Sequence, residues 1–429
     1  LDQDIKEKRI GLNRQKIFSD SLERIPYQIK WICDSRAKVT NGMKRIFSID
    51  FTRGLVMIIM ALDHVRDMMH THSITQNPVN LATTTPALFF TRWITYLCAP
   101  TFVFLAGSSA YLSFKNKADS SKSRQFLLTR GLWLILLEFT FVNFGLFFDF
   151  VFHTFIFEVI AAIGFGFIAL SSLLKASWKT IGIIGLIIII GHDVLRTIPM
   201  AEGSVLKTIL TPLFSLEVFS ITPHTNLTIA YPPIPWLGIM LVGFACGKLF
   251  ELPDLKRKNV FLKIGLGALV FFTVLRCTNL YGDPLLWSSQ KNGLYTMLSF
   301  INVTKYPPSL LFCLITLGIM FLILGLAENA KSASINTISV YGKVPLFYFV
   351  VHFYLIHIFM IALMFAQGFN WSQMDFASGT FGRPKGIESG VSLGAVYIIW
   401  MAVVLMLYRP CLWFGKYKTA HKKWWLKYI

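Results

Sequence analysis

The stretch Ser48-Ile-Asp-Phe-Thr-Arg-Gly-Leu-Val-Met-Ile-Ile-Met-Ala-Leu-Asp-His-Val-Arg-Asp67 decides the fold and shows where chemistry is concentrated. It reads as an apolar helix at roughly 52–70 that nonetheless carries Asp63, His64, Arg66 and Asp67. An ionisable side chain at mid-bilayer costs roughly 2.5–3.5 kcal/mol, so such groups face a bundle interior and pair with one another. Asp63 and Asp67 are i,i+4 neighbours, and His64 and Asp67 are i,i+3. Arg53 and His64 lie close to three full turns apart and project in nearly the same direction, about 16 Å from each other along the axis. A cationic end below a His–carboxylate group suits an anionic cofactor at one side and proton chemistry deeper in. A carboxylate beside a histidine orients the ring and favours general-base work. The same residues also fit a structural cluster, with Asp63, Arg66 and Asp67 as ion pairs near the outer interface and His64 bonded inside the bundle.

Outward from this helix the chain keeps the same character. Of its 429 residues 54% are apolar and only 15% charged, against about 25% charged in soluble domains. Long apolar runs recur at roughly 86–113, 126–147, 150–174, 179–197, 229–250, 259–280, 307–327, 338–365 and 390–409. The fold class expected is therefore all-α, a polytopic membrane bundle of about ten transmembrane helices. Residues 204–220, broken by Pro212, read as an interfacial segment. The net charge of +19 sits between the spans and in the tails, which excludes a nucleic-acid stripe and reports topology instead. Segments 1–50, 114–124, 175–179, 247–263, 328–331 and 409–429 together hold 29 Lys and Arg, and the alternate connections hold 5. That asymmetry places both termini in the cytosol. Three regions follow: a basic cytosolic segment 1–49, a membrane domain 50–409 and a basic cytosolic tail 410–429. Met43 opens the segment before the first span, so residues 1–42 are read as an extension. Sequons at Asn226, Asn302 and Asn370 all fall on the outer side, where chance explains them equally well.

Other polar residues in spans follow the same logic. Glu138 and Glu158 are read as structural, Arg130 being too far from Glu138 to pair, and Asp193 with Arg196 as a simple i,i+3 pair. Arg92 enters the second span flanked by Trp93 and Tyr96. His352 and His357 share the ninth span at i,i+5, which does not align them for metal or haem ligation. One or both lining the pocket opposite His64 is an even proposition. The prolines at 232, 233 and 235 before Trp236, and Tyr306-Pro307-Pro308, mark outer helix starts. The six cysteines are scattered without a CxxC pair, so neither disulfides nor zinc are indicated.

The motifs Ser-Ile-Asp-Phe-Thr-Arg-Gly54, Asp63-His64 and Cys98-Ala-Pro-Thr-Phe-Val-Phe-Leu-Ala-Gly107 occur in order along the chain. Pro235-Trp-Leu-Gly238, Ser299-Phe-Ile-Asn-Val-Thr-Lys-Tyr-Pro-Pro-Ser309 and Tyr341-Gly-Lys-Val-Pro-Leu-Phe-Tyr348 follow. As an ordered set over about 44–409 they resemble bacterial membrane proteins related to the catalytic domain of heparan-α-glucosaminide N-acetyltransferase. The resemblance implies transfer of an acyl group, typically acetyl, from cytosolic acetyl-CoA to an acceptor on the far side, a sugar or glycan. It implies His64 as the catalytic histidine with Asp63 and Asp67, because a related O-acyltransferase branch has His at that spacing after the Arg-Gly pair. The lysosomal N-acetyltransferase has Asn there and uses a later His, for which His70 and His72 are the candidates here. Arg53 is expected beside the donor phosphates, and Arg92, Trp236, Lys305, His352 and His357 around the acceptor. The expected partners are the lipid bilayer, acyl-CoA and the glycan, with no nucleic acid, metal or haem. Assembly as a homodimer stays open, and the expected location is a bacterial inner membrane. The alternative is a transporter or flippase in which Asp63, His64 and Asp67 form a proton relay.

Overall fold

The computed structural model describes residues 46–429 apart from 116–119, 196–203 and 331. Residues 1–45 of the basic amino-terminal segment, including the proposed extension at 1–42, and Arg196 lie outside the described residues. The chain is built from helices α1 (Phe47–Met69), α2 (Pro86–Lys115), α3 (Ser121–Phe147), α4 (Val159–Leu173), α5 (Trp178–Leu195), α6 (Val205–Phe214) and α7 (Pro233–Glu251). They are followed by α8 (Asp254–Thr278), α9 (Gly293–Ile301), α10 (Leu310–Ala327), α11 (Ala333–Gly342), α12 (Pro345–Ala366) and α13 (Leu393–Ala420). Among the described residues seven helices, α2, α3, α7, α8, α10, α12 and α13, are long and apolar enough to cross a membrane by length and composition. The chain is an all-α polytopic helical protein with little sheet.

The charged helix α1 is the hub: it packs against α2, α10, α11, α12 and α13. Its buried residues include Asp50, Asp63 and Arg66, so the polar groups turn into protein as the cost of exposing them to lipid demands. Close helix crossings depend on glycine, as expected where helix association rests on tight packing. A Cβ added at Gly54 would overlap the carbonyl oxygen of Ile338, and one at Gly342 the carbonyl oxygen of Asp50. Gly107 and Gly243 interlock α2 with α7 in the same way. Several motif glycines noted in the sequence are thus contact points between backbones. At the Arg53 end Glu328 accepts from Ser48 Oγ at 2.5 Å and from Arg257 Nε at 2.9 Å, tying α1 to α8 and α10.

Three expected spans differ in outline. The run at 150–174 is helical only from Val159; Thr154–Phe157 is strand β1, parallel to β3 (Thr225–Ile229), which also pairs with antiparallel β2 (Glu217–Thr222). The run at 338–365 is two helices, because Pro345 cannot donate within a helix and instead opens α12 at its first turn. The last span runs on to Ala420 with Pro410 inside it, so residues expected in the tail are helical. Pro212 does not break the segment at 204–220; it lies in the last turn of α6, and β2 follows.

Candidate active site

Two cavities lie back to back along α1. The first, of about 270 Å³, is lined by Arg53, Met57, Ser109, Ser113, Phe126 and Arg130 with apolar residues of α4 and α12. The second, of about 310 Å³, is lined by Asp63, His64, Asp67, Arg92, Glu158 and Lys305, with Tyr231, Tyr306 and Phe381 among its other walls. Phe102, Val159 and Phe349 belong to both walls and form the partition. Arg53 and His64 therefore face different chambers although they project from the same side of one helix. Arg53 is held by α2, donating to Leu105 O at 3.0 Å and to Ser109 Oγ at 2.6 Å.

His64 is oriented by a second imidazole. Its Nδ1 lies 2.7 Å from His352 Nε2, and its ring stacks on Phe353 with centroids 4.5 Å apart. His352 Nδ1 lies 2.5 Å from Phe349 O and 3.2 Å from Tyr348 O. A carbonyl only accepts, so a neutral His352 carries its proton on Nδ1 and presents a bare Nε2. His64 must then donate from Nδ1, which leaves its Nε2 as a lone-pair nitrogen on a side chain that lines the cavity. This chain runs from Phe349 O through His352 to His64 and fixes which His64 nitrogen carries the proton.

The carboxylates do other work. Asp63 accepts from Arg66 Nη2 at 2.8 Å and from Arg92 Nη1, while Asp67 meets Arg66 at 2.7 Å. Both arginines are therefore paired beside the cavity, and the side chain within hydrogen-bond distance of the His64 ring is His352 rather than Asp63 or Asp67. Adjacent residues on a helix point about 100° apart, which is why Asp63 can serve the arginines while His64 faces α12. Lys305 is buried, with its ammonium over Tyr306 at 4.9 Å, Tyr231 at 5.7 Å and Tyr96 at 5.9 Å. Its loop is fixed by Asp283, which accepts from Thr304 N at 2.8 Å and Ser309 Oγ at 2.6 Å. Trp236 is fully buried against Tyr231, centroids 4.7 Å apart, and does not itself line the cavity. His357 stacks on Phe148 at 3.9 Å and lies on neither cavity wall.

Sequence reasoning read Glu158 as structural, yet it lies on the wall of the His64 chamber at the start of α4. Glu138 fits a structural role: its Oε2 accepts from Ala161 N at 2.8 Å. Tyr231, Tyr306 and Phe381 were not singled out as site residues; the prolines flanking both tyrosines were the available signal. His70 and His72 stand beyond the chamber, where Arg383 donates to His70 O at 2.8 Å and to Thr71 O at 3.0 Å. This anchors the loop that carries Phe381 over the cavity. Among the described residues no group of three or more His, Cys, Asp or Glu side chains is placed to hold a metal ion.

The model of the family described as heparan-alpha-glucosaminide N-acetyltransferase, catalytic, matches residues 45–275. That segment holds Arg53, Asp63, His64, Arg92, Glu158 and Trp236; Lys305 and His352 lie beyond it. No curated protein matches the chain. A matched segment exceeding half the sequence, from α1 into α8, makes this chain a member of the heparan-alpha-glucosaminide N-acetyltransferase catalytic family, a transmembrane acyltransferase type.

Proposed function

We propose that the protein transfers an acetyl group from cytosolic acetyl-CoA to an amine or hydroxyl of an extracytoplasmic sugar or glycan. The observation that carries this is the pair of chambers meeting at Phe102, Val159 and Phe349, one basic and the other holding a histidine with a free Nε2. The Arg53 chamber takes the donor, and the excess of Lys and Arg on that side of the spans makes it cytosolic. The His64 chamber takes the acceptor.

His64 Nε2 removes the acceptor's proton as its oxygen or nitrogen forms the bond to the acetyl carbon, and returns that proton to the departing thiolate. His352 is a positioning residue that fixes the tautomer and plane of His64. Asp63 holds Arg92, and Arg92 with Lys305 supplies positive charge where the carbonyl oxygen develops negative charge. Trp236 supports Tyr231 in the acceptor wall. The apolar partition of Phe102, Val159 and Phe349 is where the two substrates meet.

The test is acetyl transfer from radiolabelled acetyl-CoA to glucosamine and to a neutral hexose by purified protein, beside His64→Ala. Label should appear on a sugar with wild type and vanish with a well-folded His64→Ala protein. Undiminished transfer by that variant would remove His64 from the chemistry.

A further inference from the structure

The Arg53 chamber contains a second guanidinium, Arg130, for which the described residues supply no carboxylate partner. Its wall includes two arginines and no carboxylate. Arg53 has polar partners on α2, whereas Arg130 on α3 makes no ion pair among the described residues. Arg130 Nε is buried without a hydrogen-bond partner. The guanidinium lies between the rings of Phe167 at 5.7 Å and Phe126 at 5.9 Å, and Nη1 reaches Lys427 O at a long 3.3 Å. A guanidinium offers five N–H donors in a planar fork suited to phosphate. One buried N–H of Arg130 finds no acceptor in the protein, a cost that an anion in the chamber would relieve.

The carboxy-terminal segment covers the same spot. Tyr428 packs on Phe126 with centroids 5.8 Å apart, and its hydroxyl lies 3.2 Å from Thr129 Oγ1. Phe126 and Arg130 are both cavity walls, and the turn Trp424–Lys427 and Tyr428 pack against them from outside the cavity.

We infer that Arg130 is a phosphate-binding residue of the donor site and that the segment Trp424–Tyr428 closes over the phosphate it holds. This rests on the donor reading of the Arg53 chamber and adds a residue and a wall to it. Arg130 would grip a phosphate at the nucleotide end while the thioester arm runs past Arg53 to the partition.

The experiment is equilibrium and stopped-flow binding to the purified full chain of two probes, acetyl-CoA and S-acetyl-pantetheine, which lacks phosphates. Arg130→Ala should weaken acetyl-CoA by roughly 10-fold or more, the value of a lost charge-assisted bond, and leave S-acetyl-pantetheine unchanged. Arg130→Lys should recover part of the loss. Tyr428→Ala should speed acetyl-CoA dissociation several-fold without affecting S-acetyl-pantetheine. Equal acetyl-CoA affinity in wild type and Arg130→Ala, or equal weakening of both probes, would overturn the role of Arg130. An unchanged dissociation rate in Tyr428→Ala would overturn the closing wall. Failure of wild type to bind either probe would overturn the donor reading itself.

Discussion

Replacing His352 by phenylalanine removes the acceptor of the His64 Nδ1–H bond while keeping an aromatic ring in a fully buried position. His352 is 0% exposed and lies among Tyr348, Phe349 and Phe353, so a phenyl ring meets the same neighbours. In the wild type the 2.7 Å bond fixes which nitrogen of His64 is bare. Without it the His64 proton has no partner on that side, and the tautomer with the proton on Nε2 becomes competitive; that form cannot act as a base towards the cavity. The loss is that of one buried hydrogen bond, about 1–3 kcal/mol, which converts to a fall in transfer of about 5- to 150-fold. Acetyl-CoA binding should not change, because His352 is not on the wall of the Arg53 chamber. His352→Gln, whose side-chain carbonyl can accept the same bond, should recover much of the rate. The assay is single-turnover acetyl transfer with saturating donor, beside a calorimetric Kd for acetyl-CoA. Full-rate transfer by a folded His352→Phe protein would refute the imidazole pair as the device that prepares His64.

Other consequences are open to simpler measurements. Gly342→Ala places a Cβ on the carbonyl oxygen of Asp50 and must push α11 from α1; thermal unfolding in detergent should show a loss of about 1–3 kcal/mol, and an unchanged midpoint would mean the crossing is looser than described. Asp63→Asn strips a charge from buried Arg66 and from Arg92, whereas Asp67 has a side chain 38% exposed. The Asp63 variant should lose up to about 3–5 kcal/mol and Asp67→Asn about 1 kcal/mol or less; equal losses in denaturant melts would contradict the pairing. For Asp375, burial raises the carboxyl pKa, but hydrogen bonds from the Ser378 hydroxyl and from the Ser378 and Ala377 amides outweigh it and hold it below the usual range. Its contribution to the loop carrying Phe381 is present above about pH 3.9 and is lost as pH falls through the depressed folded value. Hydrogen exchange of residues 376–383 should therefore rise over ordinary acid-dependence only at strongly acidic pH, and Asp375→Asn should abolish that step.

How much was legible in the sequence follows from which signals are local. The ionisable residues of α1 stand in an apolar run and announce themselves, and their burial follows from the cost of exposing them to lipid. The strand Thr154-Phe-Ile-Phe157 reads as the start of a helix because hydropathy does not separate a short apolar strand from a helix. Its partner β3 lies some seventy residues further on. Pro345 after Lys343-Val344 was a usable helix-start signal, passed over because hydropathy runs through it. The His64–His352 contact joins positions 288 apart, and nothing near either residue encodes it. Within its own helix Arg130 has only the distant Glu138 as a candidate partner; the acceptor it reaches, Lys427 O, comes from the far end of the chain.

Sided transfer tests the central claim most directly. Protein is reconstituted into vesicles with labelled acetyl-CoA enclosed and the sugar acceptor outside, and the reverse loading serves the opposite orientation. Acetylated acceptor should form across the bilayer, with intact acetyl-CoA retained inside, and should fail to form with His64→Ala. Transfer only when donor and acceptor share one compartment, or movement of the sugar itself without acetylation, would contradict a donor chamber and an acceptor chamber meeting at Phe102, Val159 and Phe349.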